Sequence, residues 1–318
     1  MNPATPAGGE SAVAVHTGRF GDAMIDGLRL ILPGVELVSA TSPDSVARAD
    51  VLATLTDDAP AIAGALHPGI RWVHVLGAGI DGFPLDVVGD RTLTCSRGAG
   101  APAIAEFVLA AMLAFEKRLP ESWITEPPEQ WSTANLGGLA GRTLAVVGLG
   151  SIGAEVASRA LAFDMKVVAL RRSRRRSPIA GVTLGSSLLS VLGDADHVVV
   201  AAPATAETRH LIGESALAEI KPGAHFVNVS RGSLVDQDAL VRALDDGRIA
   251  TASLDVVEPE PLPAGHPLYR HPRVRLSPHI SWSSPRTVAR TFQLFADNLA
   301  RYRSGQPLLG RVDVEAGY

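Results

Sequence analysis

The chain has 318 residues, 46% of them hydrophobic and 19% charged, and a net charge of −4. That composition excludes wholesale disorder, the length predicts two domains, and the charge gives no general attraction to nucleic acid or to an anionic membrane. The single cysteine, Cys95, excludes an internal disulfide and a cysteine-rich zinc site and suits a reducing compartment.

Residues 1–10 are rich in Pro, Ala and Gly and read as a disordered tail rather than a signal peptide. The longest apolar runs, such as 107–115, are about half a membrane span. A soluble, cytoplasmic protein is expected. Residues 12–16 read as a strand, followed through Gly18 and Gly21 by a helical pattern over 22–31. Strand patterns recur at 51–55 and 71–76, the second ending in Gly77-Ala78-Gly79. A long helical pattern covers 101–118, and 125–139, with its Pro, Trp and Gly, reads as a surface loop. Strand 143–148, helix 154–163 and strand 166–170 come next. Further strands are expected at 197–201, 225–229, 251–254 and 274–276, before a last helical pattern over 285–303. Strands alternating with helices predict parallel sheets, and the five or six strands after 143 predict a doubly wound one.

The clearest motif is Gly148-Leu149-Gly150-Ser151-Ile152-Gly153, set between a strand and a helix. In that setting the first glycine permits a tight turn, the second leaves room for a pyrophosphate, and the third lets helix and strand pack closely. The helix N-terminus adds free N–H groups and a favourable dipole. An NAD site ends the next strand with Asp or Glu, which accepts from the ribose 2′-hydroxyl. Here Arg171-Arg172-Ser173-Arg174-Arg175-Arg176 follows, with no carboxylate. Guanidinium groups bind phosphate oxygens in pairs, so Arg171 and Arg172 point to the 2′-phosphate of NADP(H), with NAD(H) still possible. A solvated basic loop or a nucleic-acid patch is the competing reading of the same arginines.

Seven blocks stand in order: LGAGID (76–81), IAEFVLA (104–110), GLGSIG (148–153), APATAETRHLI (202–212), NVSRGSLVDQDAL (228–240), LDVVEPEPLP (254–263) and SPHISW (277–282). On these blocks, which are spread in order along residues 71–282, the sequence resembles the D-isomer-specific 2-hydroxyacid dehydrogenases. Its basic loop is most similar to the glyoxylate/hydroxypyruvate-reductase-like members. The resemblance implies an α/β fold of two Rossmann-like domains with doubly wound parallel sheets. The substrate domain is discontinuous, 1–99 and 284–318, and the dinucleotide-binding domain is 100–283. It also implies a homodimer formed through the cofactor domain, to which 101–118 and the loop bearing Trp123 and Trp131 would contribute.

The resemblance further implies a catalytic trio. Arg231 binds the substrate carboxylate and 2-oxo oxygen, His279 exchanges the proton, and Glu260 pairs with His279. The chemistry suits these residue types. Hydride arriving at carbon builds charge on oxygen, which a fixed cation stabilises. Imidazole is suited to proton exchange near neutrality, and a neighbouring carboxylate favours and orients the imidazolium. Spacing alone does not separate His279 from His74, which also ends a strand, nor Glu260 from Glu258; the motif does. By the same route Ser151 and Ile152 offer backbone to the pyrophosphate and Pro203 lies on the adenosine side. Thr208 reaches a phosphate or ribose, Val229 and Ser230 lie near the nicotinamide, and Asp255 accepts from its carboxamide. The Leu76, Gly77, Ala78 and Gly79 loop offers N–H groups to the substrate carboxylate, as backbone nests hold anions. Trp72, Phe83 and Trp282 either shape the substrate pocket or pack. No metal is required.

The leading expectation is therefore an NADP(H)-preferring reductase of small 2-oxo acids such as glyoxylate or hydroxypyruvate. A phosphoglycerate dehydrogenase-like enzyme, a formate or phosphite oxidase, a dinucleotide-sensing regulator and a nucleic-acid binder remain alternatives.

Overall fold

The structure, a computed structural model, describes residues 12–18, 21–172 and 176–318. The expected N-terminal tail, and Ser173, Arg174 and Arg175 of the arginine cluster, lie outside the described residues. In chain order the first elements are β1 (Ala12–Val15), α1 (Asp22–Ile31), β2 (Leu37–Ser39), α2 (Pro43–Val46), β3 (Ala49–Thr54), α3 (Ala59–Ala65), β4 (Trp72–Val75), β5 (Thr92–Cys95) and α4 (Ala101–Lys117). Then come β6 (Thr143–Val147), α5 (Ser151–Ala162), β7 (Lys166–Leu170), β8 (Val182–Leu184), α6 (Leu188–Leu192) and β9 (His197–Val200). The last are α7 (Glu214–Glu219), β10 (Ala224–Asn228), α8 (Gln237–Asp245), β11 (Ile249–Leu254), β12 (Val274–Leu276) and α9 (Pro285–Arg303).

These elements divide into two units, one within Met1–Gly100 together with Ser284–Tyr318, the other Ala101–Ser283. The first holds a five-stranded sheet in the order β2-β1-β3-β4-β5, with all neighbours parallel. Its strands are buried almost throughout, which is why they read as apolar runs rather than alternating ones. Trp72 and Phe83 are core residues here: Trp72 is fully buried and its ring stacks 5.5 Å from Phe295 of α9. Both residues therefore pack into the core of this unit.

The second unit holds a seven-stranded parallel sheet, β12-β11-β10-β9-β6-β7-β8. The chain runs outward from β6 through β7 and β8, then returns to β9 on the other side of β6 and continues to β12. That reversal between β6 and β9 is the switch point at which such sheets bind ligands, beyond the carboxyl ends of the strands. One apolar core lies under α6, α7 and α8, and the other under α4 and α5. The expected five or six strands become seven because Val182–Leu184, only three residues long and half-exposed, has no readable pattern.

Candidate active site

The glycine loop leaves β6 at the switch point, and each glycine has a steric reason. Gly148 has a φ of 106°, and a Cβ there would stand 2.5 Å from the backbone nitrogen of Ala202, at the end of β9. At Gly153, on the first turn of α5, a Cβ would lie 2.0 Å from the Gly148 carbonyl oxygen. At Gly150 a Cβ would meet nothing within 4 Å, so the space above it is open. Open space over Gly150 beside the uncapped N–H groups of α5 fits a pyrophosphate. Arg171 and Arg172 follow β7 directly, where the fingerprint places a carboxylate in NAD sites. Arg171 reaches back to the Arg176 carbonyl at 3.4 Å.

The ends of β10, β11 and β12 bring the trio's turns to the same edge of the sheet. Arg231 follows β10, and its main-chain carbonyl accepts from the Asn228 side chain at 2.9 Å while its guanidinium donates to the Ser230 carbonyl at 2.7 Å. Gly232 then passes so close to the loop after β11 that a Cβ would lie 2.0 Å from the Val257 carbonyl carbon. On that loop, Glu260 accepts from the Val257 N–H at 3.2 Å through Oε1 and sits 2.7 Å from His279 Nδ1 through Oε2. Glu258 faces elsewhere, pairing with Arg209 at 2.9 Å.

His279 has a φ of 54°, rare for a residue with a side chain, and the turn around it is built by Asp255. The Asp255 carboxylate is 1% exposed. Its Oδ1 accepts from the Ser277 hydroxyl at 2.6 Å and the Ile280 N–H at 2.9 Å, and its Oδ2 from the Ser281 N–H at 2.9 Å. The Asp255 carbonyl takes the His279 N–H at 2.9 Å, and the Trp282 indole closes the turn on the His279 carbonyl at 2.9 Å. His279 and Glu260 are left about one-third exposed, 38% and 36%. His279 Nε2 has no partner among the described residues.

The remaining expected cofactor residues occupy the loops after β9 and β10. Pro203 and Thr208 share a small turn: the Thr208 hydroxyl lies 2.7 Å from the Pro203 carbonyl and takes the Thr205 N–H at 2.8 Å. Val229 is buried, and the Ser230 hydroxyl donates to the Ala202 carbonyl, tying the β10 exit to the β9 exit. Asn228 and Ser277 brace the Arg231 and His279 turns and were not singled out from sequence. Their signal was a polar residue at a strand's C-terminal end inside the quoted blocks. In the first unit Leu76, Gly77, Ala78 and Gly79 follow β4, as expected.

Comparison with known proteins gives a consistent picture. The family model of the D-isomer specific 2-hydroxyacid dehydrogenase NAD-binding domain matches residues 109–281. A glyoxylate reductase of Aeropyrum pernix is 36% identical over 273 residues, 81% of either chain. A D-isomer specific 2-hydroxyacid dehydrogenase of Xanthobacter autotrophicus, solved with NADPH and MES, superposes with a TM-score of 0.85 at 28% identity, covering 98% of this chain and all of that one. An NADPH-dependent glyoxylate/hydroxypyruvate reductase of Sinorhizobium meliloti, solved with NADP and sulfate, gives 0.81 at 26% identity over 97% of this chain and all of that one. With its glycine cradle, its His–Glu pair and these matches, the chain belongs to the D-isomer-specific 2-hydroxyacid dehydrogenases.

Proposed function

We propose that the chain transfers hydride between a nicotinamide dinucleotide, NADP(H) in preference to NAD(H), and small 2-oxo or 2-hydroxy acids such as glyoxylate and hydroxypyruvate. The observation that carries this reading is the 2.7 Å pair of His279 and Glu260, fixed in a turn that leaves Nε2 open. The dinucleotide, when bound, supplies the hydride or takes it back. Everything else is done by side chains and backbone. With Nδ1 committed to Glu260, His279 Nε2 is the atom that gives a proton to the substrate oxygen in reduction and recovers it in oxidation. Glu260 is itself held by the Val257 N–H, so the imidazole keeps one orientation. Arg231 takes the substrate carboxylate and 2-oxo oxygen and counters the charge that develops there. The Leu76–Gly79 loop offers its N–H groups to the carboxylate.

For the dinucleotide, the Gly148–Gly153 loop and the Ser151 and Ile152 N–H groups take the pyrophosphate, with Pro203 and Thr208 on the adenosine side. Val229, Ser230 and Asp255 serve the nicotinamide side. A carboxylate has about four acceptor positions, so Asp255, with three in use, keeps one for a carboxamide. Preference for NADP(H) rests on Arg171 and Arg172. Catalytic efficiencies with NADPH and NADH, measured on glyoxylate and hydroxypyruvate, test it. Their ratio should exceed one and fall by about 10- to 100-fold in Arg171→Asp, the range for lost charge-assisted hydrogen bonds. A wild-type preference for NADH overturns the arginine argument, and no turnover of either acid overturns the reading as a whole.

The same reading includes a homodimer through the second unit. A groove of about 1030 Å³ runs along α4, lined by apolar Phe107, Phe115 and Leu136 and by charged Glu116, Arg142 and Arg275, among others. In the loop that follows α4, Trp123 and Trp131 are 71% and 74% exposed, so neither indole covers the chain's own core. Exposed aromatics of this size suit a partner of the same kind.

A further inference from the structure

The substrate loop assigned above hangs from the end of β4 and is gripped by the end of β5. The Ser96 N–H donates to the Gly77 carbonyl at 2.8 Å and lies 3.1 Å from that of Val75, and the Cys95 thiol lies 3.5 Å from the Ala78 carbonyl. In a planar trans peptide the N–H points opposite its C=O. Turning the Gly77 and Ala78 carbonyls onto β5 therefore turns the next two N–H groups, those of Ala78 and Gly79, away from it. Among the described residues neither N–H has an acceptor. Two successive donors turned away from β5 in this way suit a carboxylate.

Ser96 is held in turn by a buried polar chain. Trp72, His74, Thr94 and Ser96 are all fully buried. The Trp72 indole N–H donates to Thr94 Oγ1 at 2.8 Å, Thr94 Oγ1 lies 2.7 Å from His74 Nδ1, and His74 Nε2 lies 3.0 Å from Ser96 Oγ. Ser96 Oγ also lies 3.4 Å from the Thr291 carbonyl on α9. Burial lowers the His74 pKa to about 3, so the ring is neutral near pH 7, with one donor and one acceptor nitrogen. Either tautomer satisfies the chain. With the proton on Nε2, Thr94 receives the indole proton and gives its own to Nδ1, while Nε2–H donates to Ser96, whose proton goes to the Thr291 carbonyl at 3.4 Å. With the proton on Nδ1, Thr94 gives its own to the Val73 carbonyl at 3.4 Å and Ser96 donates to Nε2. Every donor in the chain has a partner, and it ends on the residue whose main chain holds the loop.

We propose that His74 and Ser96 are positioning residues for substrate recognition: the Trp72–Thr94–His74–Ser96 chain fixes the Ser96 main chain, and through it the aim of the Ala78 and Gly79 N–H groups at the 2-oxo acid carboxylate. This rests on the assignment of the Leu76–Gly79 loop to that carboxylate. A network that served stability alone would move the melting temperature and leave substrate affinity untouched.

The experiment uses the full chain saturated with NADPH. Ser96→Ala and His74→Phe are compared with wild type for glyoxylate KM and kcat, for NADPH Kd, and for Kd of oxalate, a redox-inert dicarboxylate. In both variants KM and the oxalate Kd should rise about five- to tenfold, the scale of one lost hydrogen bond. The value of kcat should stay within about twofold and NADPH Kd should not move, as only ground-state and transition-state binding alike are weakened. Ser96→Cys, close in size and a weaker hydrogen bonder, should fall between. Unchanged KM and oxalate Kd in both variants, or a fall in kcat at constant KM, overturns the proposal. Ala78→Pro, which removes one loop N–H, separates two kinds of failure. If it weakens oxalate while Ser96→Ala and His74→Phe do not, the loop binds the carboxylate without this chain. If it too leaves oxalate binding unchanged, the loop assignment fails and the proposal with it.

Discussion

Glu258 and Glu260 are two residues apart, each precedes a proline, and only one touches the histidine. Glu260 lies 2.7 Å from His279 Nδ1, whereas Glu258 pairs with Arg209 on the surface. Removing charge at each position separates their roles. Glu260→Gln should lower kcat for 2-oxo acid reduction by about 10²-fold, within the usual range for general acid–base contributions, because an amide does not stabilise the imidazolium. Glu258→Gln should change kcat by less than about threefold, since an exposed ion pair is worth little. Steady-state kinetics at saturating NADPH, with NADPH Kd as a control, checks both; equal effects would mean that the pair has no part in proton exchange. Choosing between these acids was possible from the motif but not from spacing, because His279 and Glu260 are 19 residues apart and meet only through the loop after β11. The same holds for His74 and His279. His74 lies inside β4 and His279 three residues past β12, and burial, complete for His74 and partial for His279, gives them different work.

At the scale of elements, the site is a set of strand ends tied together by backbone packing. The short turn after β10, residues Gly232–Leu234, presents Arg231 as its N-cap and presses Gly232 onto the backbone of the loop that carries Glu260. Gly232→Ala would place a methyl group 2.0 Å from the Val257 carbonyl carbon, which backbone on both sides prevents from relaxing cheaply. The variant should lose about 1–3 kcal/mol of stability, as overpacking does. It should also lose about 10²-fold in kcat/KM, because two functional groups shift together. Urea titration and steady-state kinetics check these outcomes, and a stable variant of normal activity would show that the turn tolerates separation. Long elements were legible: α9 has the expected bounds, and β6 and α5 follow the strand–glycine–helix pattern. The strands at 37–39, 92–95 and 182–184 were not, because three or four residues give too little periodicity and their pairing comes from neighbours distant in sequence.

At the scale of the whole molecule, alternation of strands and helices made the parallel α/β class readable, while the dimer face expected at 101–118 and the loop of Trp123 and Trp131 came from the family resemblance alone. If the groove along α4 takes a second copy, the wild-type chain should sediment as a dimer at micromolar concentration. Trp123→Ser with Trp131→Ser should then sediment as a monomer, and a wild-type monomer would refute the reading. Beneath that groove lies a buried cluster that no motif announced. The Ser253 hydroxyl, His225, His197 and Glu116 follow one another at 2.9, 3.3 and 3.1 Å, and Glu116 lies 3.6 Å from Arg142. Burial lowers the His197 pKa to about 4, with Arg142 adding to the effect and Asp196 opposing it. Burial and then His197 hold His225 well below the ordinary value, and in the other unit burial takes His74 to about 3. His74 and His197 are neutral in the folded chain at pH 5 and His225 is shifted in the same direction, whereas in the unfolded chain the rings gain protons below about pH 6.5. At these three sites the unfolded state therefore binds more protons between those limits, and their contribution to stability falls as pH falls, whereas Glu116, whose pKa burial raises, works in the opposite sense. The rings' contribution is complete above about pH 6.5 and is lost progressively toward pH 4 for His197 and pH 3 for His74. Each ring adds a slope approaching 1.4 kcal/mol per pH unit, about the full linkage value, once its unfolded form is protonated. Urea titrations at pH 7, 6 and 5 should show this decline, and His197→Gln, which cannot titrate but keeps a donor for Glu116, should flatten it by about one ring's share. An unchanged slope in that variant would assign the acid sensitivity to carboxylates instead.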